Sequence, residues 1–559
     1  MNTMNRSAIS VALALALFAT QGVAQQLTWS VGVNNSDIAP GGAMGATFKS
    51  YNQPAINNAG VLVFRARSTV GSAQQVDGIY QRNLVPAGPI VKLLTRDDAV
   101  PSPNNTLYSG IPAGYLEFPS TPRIDASSNL IATRGQHQPT WTYMLGTTET
   151  RIGTSGIYAF PAGIPVTGAS LLGSAVEADQ FTLSFPWFSV PGALLGQRFD
   201  QFPGSPAIAD GRYIVYKGNY TDLADGLGRT GIYFRDVVMT NPTPYTGLIA
   251  SSNTLIPNQP AGGTTRFGST APPSAANGYV YFTGLDIEAA PTMGGIYRAP
   301  IASTPPLQVI VSIGGQVPGE APGVGFRTMG EALSLNADGS RMAFWASWGT
   351  ETFQKTLLCP ADGNPDIIAY CNLLHPTGLV VDIPVNQGFF VYDLNSDTTH
   401  RVARTLQEGI EDFMFWGFSG RAPDAGGSTE PGEELARWRA GTFAALHSPP
   451  GSRGQVVFKA KRNALDGLYL RDGVVSGSPL QTVAEVSTTP GTMIDPLAPA
   501  GSFVSAVGIE RDGFRGGRIA VTLSMLYVDP IDPEVSLGWA GIYVAPFDED
   551  ALFRNGFEG

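Results

Sequence analysis

The chain has 559 residues, enough for one large core or several domains, with only 14% charged residues and with 67 Gly and 43 Pro. That balance favours short strands joined by tight turns over helices, and a hydrophobic share of 43% excludes wholesale disorder. The net charge of −11 carries no long acidic or basic run, which argues against nucleic acid or an anionic membrane as partner.

At the N-terminus, Arg6 precedes an apolar run from Ala8 to Ala19, followed by the small-x-small triplet Gly22-Val23-Ala24. This pattern predicts a signal peptide over residues 1–24 and a secreted or periplasmic protein, with an uncleaved anchor as the rival reading. No later segment approaches membrane-spanning length. A strand-like segment without following partners, LTWSVGVNNSDIAPGG, then occupies residues 27–42.

From NNAGVLVFRAR at 57 onward, one pattern repeats. Its relatives are DASSNLIATR at 125, IADGRYIVYKG at 208, AANGYVYFTG at 275, NADGSRMAFWAS at 336, GSRGQVVFKAK at 451 and FRGGRIAVTLS at 514. Each has a turn, usually with Gly, and then alternates apolar with small or polar residues, as a strand facing two environments must. A second motif interleaves with it: Gly-Ile-Tyr at Gly78, Gly156, Gly231, Gly295 and Gly541, Gly-Leu-Tyr at Gly467, and the weaker GFFVY at Gly388. A third strand follows each of these except the last, where GIYVAPFDED runs into the tail.

Seven units, with a spare strand at the start and a missing strand at the end, predict an all-β, seven-bladed β-propeller (residues 25–547). The N-terminal strand is expected to complete the last blade, and 548–559 form a tail. A tandem array of β-sandwiches is the competing architecture.

The fifth unit breaks the pattern, with expected insertions over about 349–386 and 405–448. Cys359 and Cys371, the two cysteines, lie in the first, within CPADGNPDIIAYC, and are expected to form a disulfide. The second contains STEPGEELARWRAG, expected to be helical with Thr429 as cap and Gly441 as stop. Aromatics gather in FTLSFPWF (181–188) and FMFWGF (413–418). Trp345, Trp348, Trp416, Phe418 and Trp438 are the candidate ligand-binding residues, as a stacking platform; packing between blades or under loops is the alternative.

No G-x-S-x-G, H-E-x-x-H or Walker loop is present, and the four His lie at no zinc-like spacing. No cofactor or metal is expected. Asp529, Asp532 and Glu534 in DPIDPEVS lack EF-hand spacing and fit a solvated loop, and the acid pairs Asp97-Asp98 and Glu411-Asp412 fit solvated strand ends.

With NNAGVLVF and NADGSRMAF in view, the chain resembles the tandem NxxGxxAF-repeat proteins of bacterial secretomes, a resemblance that implies a propeller-like fold and no known reaction. The end ALFRNGFEG resembles the short tails of some secreted bacterial proteins. The expectation is a monomeric, non-catalytic binding or scaffolding protein whose partner is a glycan or another extracellular protein. The alternative is a carbohydrate-active hydrolase or lyase with carboxylates at the channel mouth.

Overall fold

A computed structural model describes residues 27–547, apart from 70–75, 101–106, 162–173, 178–189, 238–244, 420–436 and gaps of one to three residues. The expected signal peptide (1–24), the aromatic run 181–188 and the expected tail lie outside the described residues. Seven antiparallel sheets follow one another around a ring, a β-propeller. In blade one the strands are Thr47–Tyr51 with Ala55–Ile56, then Val61–Thr69, Val76–Leu84 and Ala87–Thr95, in that spatial order. The short first strands of successive blades touch one another and so line the channel. In blade seven the order is Phe503–Gly508 with Phe514–Arg515, Arg518–Val528, Ser536–Pro546 and, outermost, Ser30–Asn34 from the N-terminal end. Ser30 lies opposite Val544 and Asn34 opposite Gly541.

Alternation along each second strand explains the ring. Val61 and Val63 enter a core shared with blade two, whereas Leu62 and Phe64 enter a core shared with blade seven. The described buried residues form seven such cores, one per blade interface. A single sheet with two apolar faces is unstable alone, and radial stacking covers both. Rings from three strands repeat one geometry inside the blades. Phe64 stacks on Tyr80 at 5.8 Å while Phe48 meets Tyr80 edge-on at 4.9 Å, and Phe344, Phe390 and Phe326 do the same at 5.5 and 5.1 Å.

Both repeat motifs have local causes. Asn57 Oδ1 accepts from Val61 N within its own turn at 2.8 Å, while its Nδ2 donates to Ser128 O of blade two at 3.1 Å. Asn336 does the same for Arg341 N and for Ser448 O of blade six. Each NxxG turn therefore caps itself and clamps the next blade, and Gly60 and Gly339 take the positive φ that it needs (+83° and +70°). In Gly-x-Tyr, residues i and i+2 share a sheet face, and the Tyr ring lies back over the Gly. A Cβ on Gly467 would stand 2.6 Å from Tyr469 Oη.

Two expectations are corrected. Ile410–Asp412 and Ala444–His447 both pair with Gln455–Arg462, so these parts of the 405–448 segment form the first strand of blade six and not an insertion of blade five. That strand is interrupted by a hairpin, Phe415–Ser419 with Arg437–Gly441. The end of the expected helix is therefore a strand, with Trp438 opposite Phe418; cross-strand aromatic packing outweighs local helix preference there. The rest of that expected helix, through residue 436, is outside the described residues. Among the described residues only Pro365–Leu374 and Gly491–Ile494 are α-helical, and no helix is long and apolar enough to cross a membrane.

Candidate functional site

Antiparallel strands place turns alternately on the two rims of the ring. The NxxG turns occupy one rim, and the turns between second and third strands occupy the other. On that second rim the second and third strands of blade five, Arg341–Leu357 and Leu379–Asp393, run for 17 and 15 residues, well past the body of the blade. Their ladder shifts register between Trp348 and Thr352, where the extension leaves the ring. At its tip Cys359 and Cys371 form the expected disulfide, with Cα atoms 5.7 Å apart, tying the helix Pro365–Leu374 to the extension.

The blade-six hairpin lies beside this extension. Period two puts Trp416, Phe418 and Trp438 on one of its faces. His375, just after the helix, lies 6.2 Å by ring centroid from both Phe418 and Trp438, which are 5.2 Å from each other. Part of the aromatic cluster thus joins the two insertions, as the packing alternative anticipates.

Between them remains a cleft of about 380 Å³, walled by Leu357, Leu358, Met414, Phe415, Trp416 and Trp438. Lys355, Lys461 and Asp466 add charge to the lining. The indole N–H groups of Trp416 and Trp438 are buried and reach no acceptor among the described residues. Lys459 lies with its Nζ 3.9 Å above the Phe415 ring, and burial lowers its pKa.

Trp345 and Trp348 are elsewhere. Trp345 packs in the core between blades five and six and donates from Nε1 to Gln387 Oε1 at 3.3 Å. Trp348 packs between blades four and five against Phe390. Both faces of this strand are blade interfaces, so neither indole reaches the cleft. Asp412 is also internal, accepting from Gln387 Nε2, Met414 N and Lys355 Nζ, while Glu411 is exposed and accepts from Ala464 N. Asp98 is held by Lys92 and Thr95. The carboxylates of Asp529 and Asp532 accept from amides of their own loop, and no group of three metal-ligating side chains is present among the described residues.

The channel holds a feature that the repeats do not announce. The loop Glu510-Arg511-Asp512 of blade seven crosses it and meets the inner strands of other blades. Asp512 O accepts from Ile56 N of blade one, and Arg123 of blade two binds both Glu510 and Asp512. Arg511 reaches Ser205 O and Ser274 Oγ of blades three and four, and its carbonyl accepts from Ser334 Oγ of blade five. Ser334 Oγ in turn accepts from Leu446 N of blade six. Burial alone would raise the Asp512 carboxyl, but the guanidiniums of Arg123, Arg515 and Arg511 more than reverse this and hold it at about 2. Burial and the neighbouring Arg123 charge bring Arg511 down to about 10, still cationic at neutral pH. Two acids do converge in the channel, yet both are bound by Arg123, and Asp512 keeps no proton to donate.

No family model matches the chain, and no curated protein matches it. Among solved structures it is similar to the acylaminoacyl peptidase of Pyrococcus horikoshii, with 10% identity and a TM-score of 0.37 over 91% of this chain and 54% of that one. The chain therefore spans about half the length of that peptidase. The β-propeller domain of the Trilobed protease from Pyrococcus furiosus aligns with 9% identity and a TM-score of 0.36, over 88% of this chain and 94% of that domain. Levansucrase from Bacillus subtilis aligns with 9% identity and a TM-score of 0.24, over 71% and 95%.

Proposed function

We propose that the protein is a non-catalytic binding protein that acts outside the cytoplasm and holds a sugar-ring ligand in the cleft between the blade-five and blade-six insertions. The convergence of two insertions from adjacent blades on one indole-walled cleft carries this reading. Indole faces suit the apolar side of a sugar ring, while the charged lining suits its hydroxyls. The disulfide in the insertion fits an oxidising compartment. Among the described lining residues Asp466 is the one acid, whereas glycoside hydrolysis ordinarily uses two.

The test is tryptophan fluorescence of the full chain titrated with a panel of neutral oligosaccharides. At least one should quench saturably, and Trp416→Ala or Trp438→Ala should weaken it by about tenfold or more, as hot-spot aromatics do. Absence of quenching across the panel, or undiminished affinity in both variants with their fold intact, overturns the proposal.

A further inference from the structure

A second cleft, of about 370 Å³, opens on the opposite rim, among the NxxG-type turns. Asn58 of blade one, Asp338 of blade five, His447 and Pro449 of blade six and Arg515 of blade seven contribute to its lining. Local backbone chemistry brings these turns together. Phe514–Arg515 pairs with Arg518 and Ile519 across the Gly516-Gly517 turn, both glycines taking positive φ (+54° and +66°). A Cβ on Gly516 would stand 2.4 Å from Asn58 O, so only glycine lets the last blade's turn approach that of the first so closely.

Arg515 is 6% exposed. Its Nη2 donates to Asp512 Oδ1 at 2.8 Å, but its buried Nη1 reaches no acceptor among the described residues. A buried guanidinium donor left unmade is costly and calls for a partner. The surrounding charges are unbalanced in the same sense. Among the described residues, the ion-pair partners of Arg123, Arg511 and Arg515 are Glu510 and Asp512, leaving one positive charge in excess. Of the other charges nearby, Arg341 is paired with Asp393, and the exposed Asp338 engages Ser340 N through Oδ1. The His447 ring, backed by Phe514 at 4.8 Å, joins Leu446, Pro449 and Pro450 in giving the cleft a mainly apolar wall.

We propose that this cleft is a second ligand site, for a small organic monocarboxylate, with Arg515 as the anion-binding residue and the Leu446–Pro450 segment against the ligand's apolar body. The excess charge and the unmade Arg515 donor, the guanidinium that lines the cleft, match a monoanion, and the volume matches a small ligand. An inorganic oxyanion shares the charge but has no use for the apolar wall.

Calorimetric titration of the full chain at constant ionic strength tests this with benzoate, acetate and inorganic phosphate. Benzoate is expected to bind saturably and more tightly than acetate or phosphate. Arg515→Gln should weaken benzoate at least tenfold, and Asp338→Asn should tighten it several-fold by removing the opposing charge. Phosphate binding more tightly than benzoate, no saturable benzoate binding, or wild-type affinity in folded Arg515→Gln would each overturn the site. If Arg515→Gln does not fold, unchanged affinity in the exposed variant Asp338→Asn overturns it instead.

Discussion

A Gly two positions before an aromatic residue in a strand leaves a slot that the aromatic ring fills from the same face. Gly78, Gly156, Gly231, Gly467 and Gly541 each stand under the ring of the Tyr two positions on, and those five tyrosines are almost wholly buried. The ring cannot swing away, because it is packed between blades. Gly467→Ala is therefore expected to destabilise the protein by roughly 1–3 kcal/mol, the usual cost of overpacking a core, in denaturant unfolding. Unchanged stability would mean that the ring yields freely. This motif was legible in the sequence as a repeat, but its cause was not, since a Gly-x-Tyr spacing alone does not say that the ring folds back on the Gly. The Asn of NxxG is similar: its turn was legible, its clamp on the following blade was not.

At the scale of the element, the strand Ser30–Asn34 is held by more than its ladder to blade seven. Asn34 Nδ2 donates to Asp495 Oδ2, and Arg82 of blade one donates to Gly32 O. Val33 lies in the core between blades seven and one. The strand is thus fastened to both the last blade and the first, and it is expected to act as the clasp of the ring. A chain lacking residues 27–34 should lose roughly 2–4 kcal/mol, about the burial of one or two valines, and melt at lower temperature. The synthetic 27–34 peptide should partly restore the melting temperature. An equal melting temperature in the truncated chain would refute the clasp. The offset that exposes this strand was visible in the sequence as a missing partner at each end. The hairpin inside the first strand of blade six was not, because an interrupted strand leaves two short fragments with no periodicity to mark them.

For the whole molecule, the channel hub and the cleft beside Arg515 are expected to make stability depend on pH in two windows. His447 is pushed down to about 4 from an ordinary 6.5, by burial first and by the Arg515 charge second. Between these values the unfolded chain binds a proton that the folded one refuses, so stability is full above pH 6.5 and falls as pH drops toward 4. The loss is on the order of 3 kcal/mol. Asp512 titrates near 2 in the fold and near 3.8 unfolded, so its ionic contribution is lost in the lower window as the carboxylate protonates. Melting temperatures of wild type and His447→Gln from pH 7 to pH 4 should show a shallower decline in the variant. Parallel curves would exclude His447 as the source.

The number of units, their β character, the spare first strand and the disulfide were all set by the sequence, because they rest on local turn chemistry, period two and a single cysteine pair. The candidate binding residues were only half legible. Trp416, Phe418 and Trp438 do meet on one rim, but Trp345 and Trp348 share their composition and lie in blade interfaces. Aromatic content reports apolar area and not whether a neighbouring blade covers it. The channel hub and the cleft beside Arg515 were invisible beforehand, since their residues are contributed by blades far apart in the chain. Only closing the ring brings Arg123 to Glu510 and Asp512, and only there does a surplus guanidinium become a feature of one place.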